Sequence, residues 1–402
     1  MIGALALGVI VPNLASARDD SLFGTLTADS ARGILSAVAS GMIAFTGLVV
    51  SIAVVVVQFG AGQYTPRLVL RFRRDLVVKN ALGIFIAPAL FALVSLLDVE
   101  DKGTDSATLT VLVAMVLLIA AVIAFFSLTA RLLDLLRPRR LYGLLETGAR
   151  DAIDQVYPHR LDEHLTPEVP AGQKHAVPYE GPEGILSAID MPALIATARD
   201  GGCVVEVNLR VGGYLWENSP AINVYGAAPA DPGKLQRGLI VAEERTLTQD
   251  PAFAIRAIVD IAIRALSPAV NDPTTASQAL DVLEPLLHRL ANRDLGAGYI
   301  HDDDGALRVV HHAPDWKDLI DLALTEIRYY GAGAIQVERR LKSLLLGLRE
   351  SCPPSRLPEV ESHLALLESV IEQSHSSPAE QALASTPDHT GLGGQHRITD
   401  LD

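Results

Sequence analysis

The segment RALSPAVNDPTTA, residues 264–276, gathers side chains of the types that do chemistry: Ser267, Asn271, Asp272, Thr274 and Thr275. Ser267 and Asp272 could be cast as nucleophile and acid. However, Ser267 precedes Pro268 and no histidine lies near it in sequence. A hydroxyl nucleophile needs a base within hydrogen-bond reach. Because such partners assemble in space, an enzyme remains one reading of the stretch. Just upstream, Arg256, Asp260 and Arg264 recur every fourth residue among apolar neighbours. That spacing places them on one helix face, and a helix apolar nearly all round is buried. A charged stripe on it must be paired inside the fold or at an interface, or must serve a polar ligand. Two readings follow: an ion-pair ladder at a helix or subunit contact, or part of an anion or polar-ligand site.

The elements that position these groups are legible. Asp250-Pro251 and Asp272-Pro273 each open a helix, since Asp accepts bonds from free helix N–H groups and Pro loses none in the first turn. Ser267-Pro268 ends the first of the two, because the residue before Pro disfavours helix. The result is a helix–loop–helix. IDMPALIATARDGG predicts a short helix capped by Asp190 and closed at Gly201-Gly202. CVVEVNLRVGGYLWENSPAINVYG predicts short strands broken by turns. It is similar to the hairpins of biotinyl and lipoyl carriers, but no Lys lies between Cys203 and Gly226 to be modified. GYIHDDDGALRVV predicts a β-hairpin, with His301, Asp302, Asp303 and Asp304 in an acidic turn and His311 and His312 nearby. These are read as turn residues, with no metal ligand and no cofactor expected. Residues 315–350 predict one long amphipathic helix and 357–373 another.

The first third is different. Residues 33–57, 80–97 and 106–130 are uncharged and apolar. Each is about long enough to cross a hydrocarbon core, which takes roughly 20 residues. Residues 1–17, MIGALALGVIVPNLASA, are shorter and lack the basic start of a signal peptide, so they are read as a further span. Arg67, Arg71, Arg73, Arg74 and Lys79 follow the second span; Arg131, Arg137, Arg139 and Arg140 follow the fourth. The other two connections are acidic. Basic flanks stay cytoplasmic, which orients four spans with both termini in the cytoplasm of an inner (plasma) membrane. The second span carries Ser36, Ser40, Gly41, Thr46, Gly47 and Ser51, then Gln58 and Gln63. Small residues allow close helix packing; the alternative is that Ser51, Gln58 and Gln63 line a pore. No span holds an ionisable residue, which counts against a proton-coupled pump.

The expected architecture is mostly α: a four-span bundle over 1–130, a helical connector and loop over 131–182, a small β-rich unit over 183–230, a helical cytoplasmic domain over 231–373, and a disordered tail over 374–402. The last assignment rests on a Ser-, His-, Pro- and Gly-rich composition with few apolar residues. Net charge of -14 argues against nucleic acid. The two cysteines, Cys203 and Cys352, have no metal spacing and fit a reducing compartment.

Three stretches together resemble one family: ERTLTQDPAFAIRAIVDIAIRALSPAVNDPTTASQALD, VVVVQFGAGQYTPR and IDMPALIATARDGG. The chain is similar over most of residues 30–345 to the bacterial membrane proteins catalogued as domain of unknown function 2254, departing at its short first span. The resemblance implies a four-span inner-membrane protein with a cytoplasmic domain, and no particular activity. The sequence therefore points to a homo-oligomeric ion or small-solute channel in a lipid bilayer, with a cytoplasmic regulatory domain. The alternative is a membrane-anchored sensor or scaffold that transports nothing.

Overall fold

The structure, a computed structural model, describes residues 26–63, 76–97, 104–135, 138–161, 170–227 and 231–393. The chain divides into two compact units, Met1–Arg137 and Pro138–Asp402.

The first unit contains three apolar helices among its described residues: α1 (Ala28–Gln63), α2 (Leu76–Leu96) and α3 (Thr104–Leu135). They bury Leu35, Met42, Phe85, Phe91, Ala92 and Ala114 against one another. Phe45 meets the rings of Phe85 and Phe125 edge-on. The outward faces are equally apolar, with Leu48, Ile119, Ile123 and Phe126 more than half exposed. Helices apolar on all sides need an apolar surround. Ala28–Val56 and Ala107–Arg131 are long and apolar enough to cross a membrane, and the apolar part of α2, Asn80–Leu96, is shorter. Two spans of sufficient length thus stand among the described residues, where four were expected. The expected first span, residues 1–17, lies outside them, as does the basic stretch 64–75.

The second unit begins with α4 (Pro138–Val156), whose buried Tyr142, Leu145, Ala149 and Ile153 recur at helical spacing. Two sheets follow. Strands β1 (Lys174–Val177), β3 (Val204–Val207), β5 (Ile222–Tyr225), β7 (Ala297–His301) and β8 (Leu307–His312) form one, in the order β1-β5-β3-β8-β7. Within it β3 and β8 run parallel, and every other pair is antiparallel. Strands β2 (Gly184–Ile189), β4 (Tyr214–Leu215) and β6 (Leu239–Ala242) form the other, with β2 central. Helix α5 (Met191–Asp200) starts on the predicted Asp190 cap, and α6 (Pro232–Arg237) precedes β6. Val205, Val207, Ile222, Val224 and Val309 alternate into the core between these elements, as half-buried strands do.

The helical part comprises α7 (Pro251–Ala265), α8 (Pro273–Ala291), α9 (Trp316–Tyr330), α10 (Ile335–Ser351), α11 (Leu357–Ser374) and α12 (Pro378–Ala384). Ile255, Ile258, Leu280, Leu283, Leu319 and Leu344 are fully buried among them.

Three further expectations are corrected. The β-rich unit is not confined to 183–230: β1 comes from the stretch read as connector, and β7 and β8, the hairpin expected at GYIHDDDGALRVV, come from within the domain read as helical and join the same sheet. The pairing Val205↔Val309 joins strands about a hundred residues apart, and local pattern carries no sign of such a register. The single helix expected over 315–350 is two. Gly331 ends α9, and a Cβ there would meet the Ile327 carbonyl oxygen at 2.7 Å; Gly333 follows in the left-handed region at φ +81. The tail is not structureless from residue 374. Helix α12 and the loop to Gly393 are held on α10, whose Arg339 donates to the carbonyls of Thr386 and Gly393 at 3.0 Å each. His375 meets buried Glu338 at 2.7 Å. Apolar composition alone underestimates a segment anchored by polar bonds.

Candidate functional site

At the corner between α7 and α8 most of the polar content goes into building the turn. Asp250 accepts the Phe253 amide at 2.9 Å, and Asp272 accepts the Thr275 amide at 3.1 Å and its hydroxyl at 2.6 Å. Ser267 donates its hydroxyl to the Arg264 carbonyl at 2.7 Å. Asn271 takes φ 49, a left-handed conformation that Asn tolerates, and its amide donates to the Ser267 carbonyl at 2.9 Å. The Asp272 amide then returns to Ala265 at 2.8 Å. Ser267 is therefore committed to a helix end, with no base against it among the described residues.

The charged stripe of α7 lies on its half-buried edge. Arg256 donates Nε to Asp260 at 2.6 Å and grips Glu326 of α9 with both Nη atoms at 2.6 and 2.9 Å. The Glu326 bonds, then the Asp260 charge, outweigh the burial that opposes a buried cation and raise the Arg256 pKa above its ordinary value. Glu326 was not legible as a partner, because it is seventy residues away in sequence. Arg264 is half-buried one turn further along.

The larger polar feature was missed. Along α8, Thr274, Ser277, Asp281, Glu284 and His288 recur at three- and four-residue steps; along α10, Gln336, Arg340, Ser343, Gly347 and Ser351 do the same. These two stripes face each other. Gln336 meets Thr274 at 3.4 Å. Arg340, with only 4% of its side chain exposed, donates Nε to Asp281 at 2.7 Å and Nη2 to Glu284. His288 meets Ser351 at 2.8 Å. A Cβ at Gly347 would lie 3.2 Å from Glu284, so glycine there gives the carboxylate room. The Nη1 of Arg340 and the Oγ of Ser277 are buried without a partner. The spacing on α8 was readable; that a second polar stripe would meet it was not.

The loop after α12 closes part of this seam. Asp388 accepts the amides of Thr390 and Gly393 at 3.0 and 2.7 Å, which folds the loop. Gln336 donates to the Gly391 carbonyl, and His389 meets Ser343 at 2.7 Å. Gly391 sits over Ser277 and Arg340, both 3.3 Å from where its Cβ would stand.

The pair of Ser351 and His288 is not arranged as nucleophile and base. Ser351 donates to the Gly347 carbonyl at 2.8 Å, so its oxygen is left to accept from His288. A general base would have to accept the hydroxyl proton instead. The Cys352 thiol, pushed up to about 11 by burial, is protonated at neutral pH and so is a poor nucleophile.

The acidic hairpin is also structural. Asp302 accepts the amides of Asp304 and Ala306 and pairs with Arg308 at 2.6 Å. His311 is buried over Gly298, and His312 meets Glu206 at 3.2 Å. Burial would raise the Glu206 pKa, but bonds from Asn223, Tyr225 and His312 outweigh it and hold the carboxyl below its ordinary range.

In the first unit Ser51 is exposed and donates to the Gly47 carbonyl of its own helix at 2.9 Å. Gln58 is exposed on the same helix. Gln63 is the last residue of α1, and its side chain lies outside the described ones.

Apolar helices of this kind joined to a folded polar unit define a membrane protein. The chain belongs to the family described as Predicted membrane protein (DUF2254), whose model matches residues 1–346. It is also similar to uncharacterised proteins of Mycobacterium bovis and of two strains of Mycobacterium tuberculosis. Each is 27% identical over 420 residues, covering 100% of this chain and 78% of the relative. No solved structure matches. The family match ends inside α10, so the loop over the seam lies beyond it.

Proposed function

We propose that the chain is a multi-pass inner-membrane protein that assembles with copies of itself into an ion or small-solute channel, with the second unit as a cytoplasmic regulatory domain. The observation that carries this is one face of α1. Gly33, Ala37, Ser40, Ala44, Gly47, Ser51 and Gln58 are all exposed and follow three-, four- and seven-residue steps. Nothing lies within 4 Å of a Cβ built at Gly33 or Gly47. A seven-residue repeat of small residues suits close, left-handed packing of membrane helices. Ser40 donates to the Ser36 carbonyl and Ser51 to the Gly47 carbonyl, each at 2.9 Å, so these hydroxyls are satisfied in lipid. In an assembly, Ser51 and Gln58 would border the enclosed path. Four spans with both termini cytoplasmic suit the basic flanks 67–79 and 131–140.

The test is reconstitution in vesicles. Wild type should be oligomeric and pass ion or tracer flux. Gly47→Leu should lower the oligomer mass, and Ser51→Phe or Gln58→Leu should change the flux. A well-folded oligomer that passes none of a broad ion panel removes the channel reading. It would leave the second one, a membrane-anchored sensor or scaffold, which the polar seam between α8 and α10 favours.

A further inference from the structure

We propose that one end of the helical part of the second unit, the end that presents Val270, Tyr329 and Tyr330, is a lipid-contact surface that rests in the headgroup layer of the bilayer.

Contacts between the helices fix which of their ends lie together. Thr274 of α8 meets Gln336 of α10 at 3.4 Å, Asp281 meets Arg340 at 2.7 Å, and His288 meets Ser351 at 2.8 Å. The two helices therefore run parallel and start together. Helix α4 runs with them. Near its start the Tyr142 hydroxyl donates to the Thr275 carbonyl at 3.0 Å, and near its end Asp154 accepts from Arg289 at 2.6 Å. Residues 266–272 join α7 to the start of α8, and 331–334 join α9 to the start of α10. The last turns of α7 and α9 thus lie at the same end as the first turns of α4, α8 and α10.

Large apolar side chains stand exposed there. Tyr329 and Tyr330 close α9 at 73% and 52% exposure, and Val270 stands at 46% in the corner between α7 and α8. Leu392 is 77% exposed beside Gly391, whose carbonyl accepts from Gln336 in the first turn of α10. Leu144, also exposed, follows Tyr142 by two residues on α4. Along α4 and from α7 to Gly393, only Leu366 among the described large apolar residues is exposed elsewhere. Exposed apolar side chains gathered on one surface mark a contact with a partner. Tyrosine suits a lipid boundary in particular, because its ring enters the acyl edge while its hydroxyl stays with the headgroups.

The chain itself brings a bilayer to this end. The apolar stretch of α3 closes at Arg131, and α4 opens at Pro138. Seven residues reach at most about 25 Å even when fully extended, and those up to Leu135 are helical, which shortens the reach. The start of α4, and the two corners beside it, are therefore tethered close to the membrane. A short tether keeps lipid at a high effective concentration for these side chains.

This inference uses the membrane character of the family and the fold of the second unit, and it does not depend on flux. The experiment uses the full chain in phosphatidylcholine nanodiscs, with a fluorophore attached after Val270→Cys, Tyr330→Cys or Ser355→Cys. Ser355 is exposed just past the end of α10, away from the proposed contact. Wild type treated with the same fluorophore gives the background from Cys203 and Cys352. Phosphatidylcholine carrying a nitroxide on its headgroup should remove most of the emission at 270 and 330 and leave that at 355 unchanged. The proposal is overturned if this lipid leaves either corner label at full intensity, or quenches the label at 355 as strongly. In the first case, quenching by iodide would show the corner open to water, and protection from iodide would show it covered by a second copy of the chain.

Discussion

The two units of this chain satisfy their polar side chains in opposite ways. In the apolar helices the hydroxyls of Ser40, Thr46, Ser51 and Ser127 each donate to a carbonyl four residues back in the same helix. In the second unit the polar groups reach between helices: Arg256 to Glu326, Arg340 to Asp281 and Glu284, Arg289 to Asp154. The reason is the surround. A helix facing hydrocarbon has no water to fall back on, so it uses partners that its own backbone guarantees. A helix in a folded protein interior can hold a charge when another element supplies the counter-charge. Local satisfaction leaves outer faces open for assembly; cross-helix satisfaction locks one tertiary arrangement.

The largest expected effect tests that lock. Arg340→Ala strands the carboxylates of Glu284 and Asp281 along the seam and should destabilise the second unit by about 3 kcal/mol. Both tryptophans, Trp216 and Trp316, lie in that unit and Trp316 is buried, so fluorescence-detected denaturation reads it separately from the bundle. A loss under about 1 kcal/mol would mean that the seam does not hold the fold together.

A second effect separates the units by pH. Burial, and then the neighbouring His312, push His311 down to about 4 from an ordinary 6.5. As pH falls, the unfolded chain takes up this proton before the folded one does. The stability that depends on neutral His311 is therefore full above about pH 6.5 and declines towards pH 4, by up to about 3 kcal/mol. Denaturation midpoints read by tryptophan fluorescence should fall across this window, and His311→Gln should flatten the slope. An unchanged slope in that variant would assign the acid sensitivity to other groups.

The smallest effect belongs to the bundle. Ser51→Ala removes a bond that the helix made with itself, so its stability should change by no more than about 0.5 kcal/mol. Detergent denaturation followed by far-ultraviolet circular dichroism measures it. A loss comparable with that of Arg340→Ala would erase the contrast between the units.

The legible parts of the sequence were those with local physics. The Asp190, Asp250 and Asp272 caps, the stop at Ser267-Pro268 and the hairpin around Gly305 all depend on residues within a few positions of one another. The apolar character of α1, α2 and α3 is likewise written in uninterrupted runs, although only two reach full spanning length among the described residues. In the polar corner of residues 264–276, Asp272 and the Ser267-Pro268 stop had enough local explanation to be read as turn builders, whereas the part of Thr275 in the cap came from the structure.

Tertiary structure alone decided which polar groups meet. Arg256 and Asp260 formed a visible pair, but Glu326 completes it from another helix. Ser277, Asp281, Glu284 and His288 had helical spacing, yet their role emerged only when α10 laid Arg340 and Ser351 against them. The bridge between Arg160 and Arg293 needed His159–Leu161 beside Asn292–Asp294. Each of these pairings joins residues far apart in the chain. Short-range propensity and hydrophobic period act over a few residues, so they determine that a helix forms and which face is polar. The partner of that face is chosen by the packing of the whole unit.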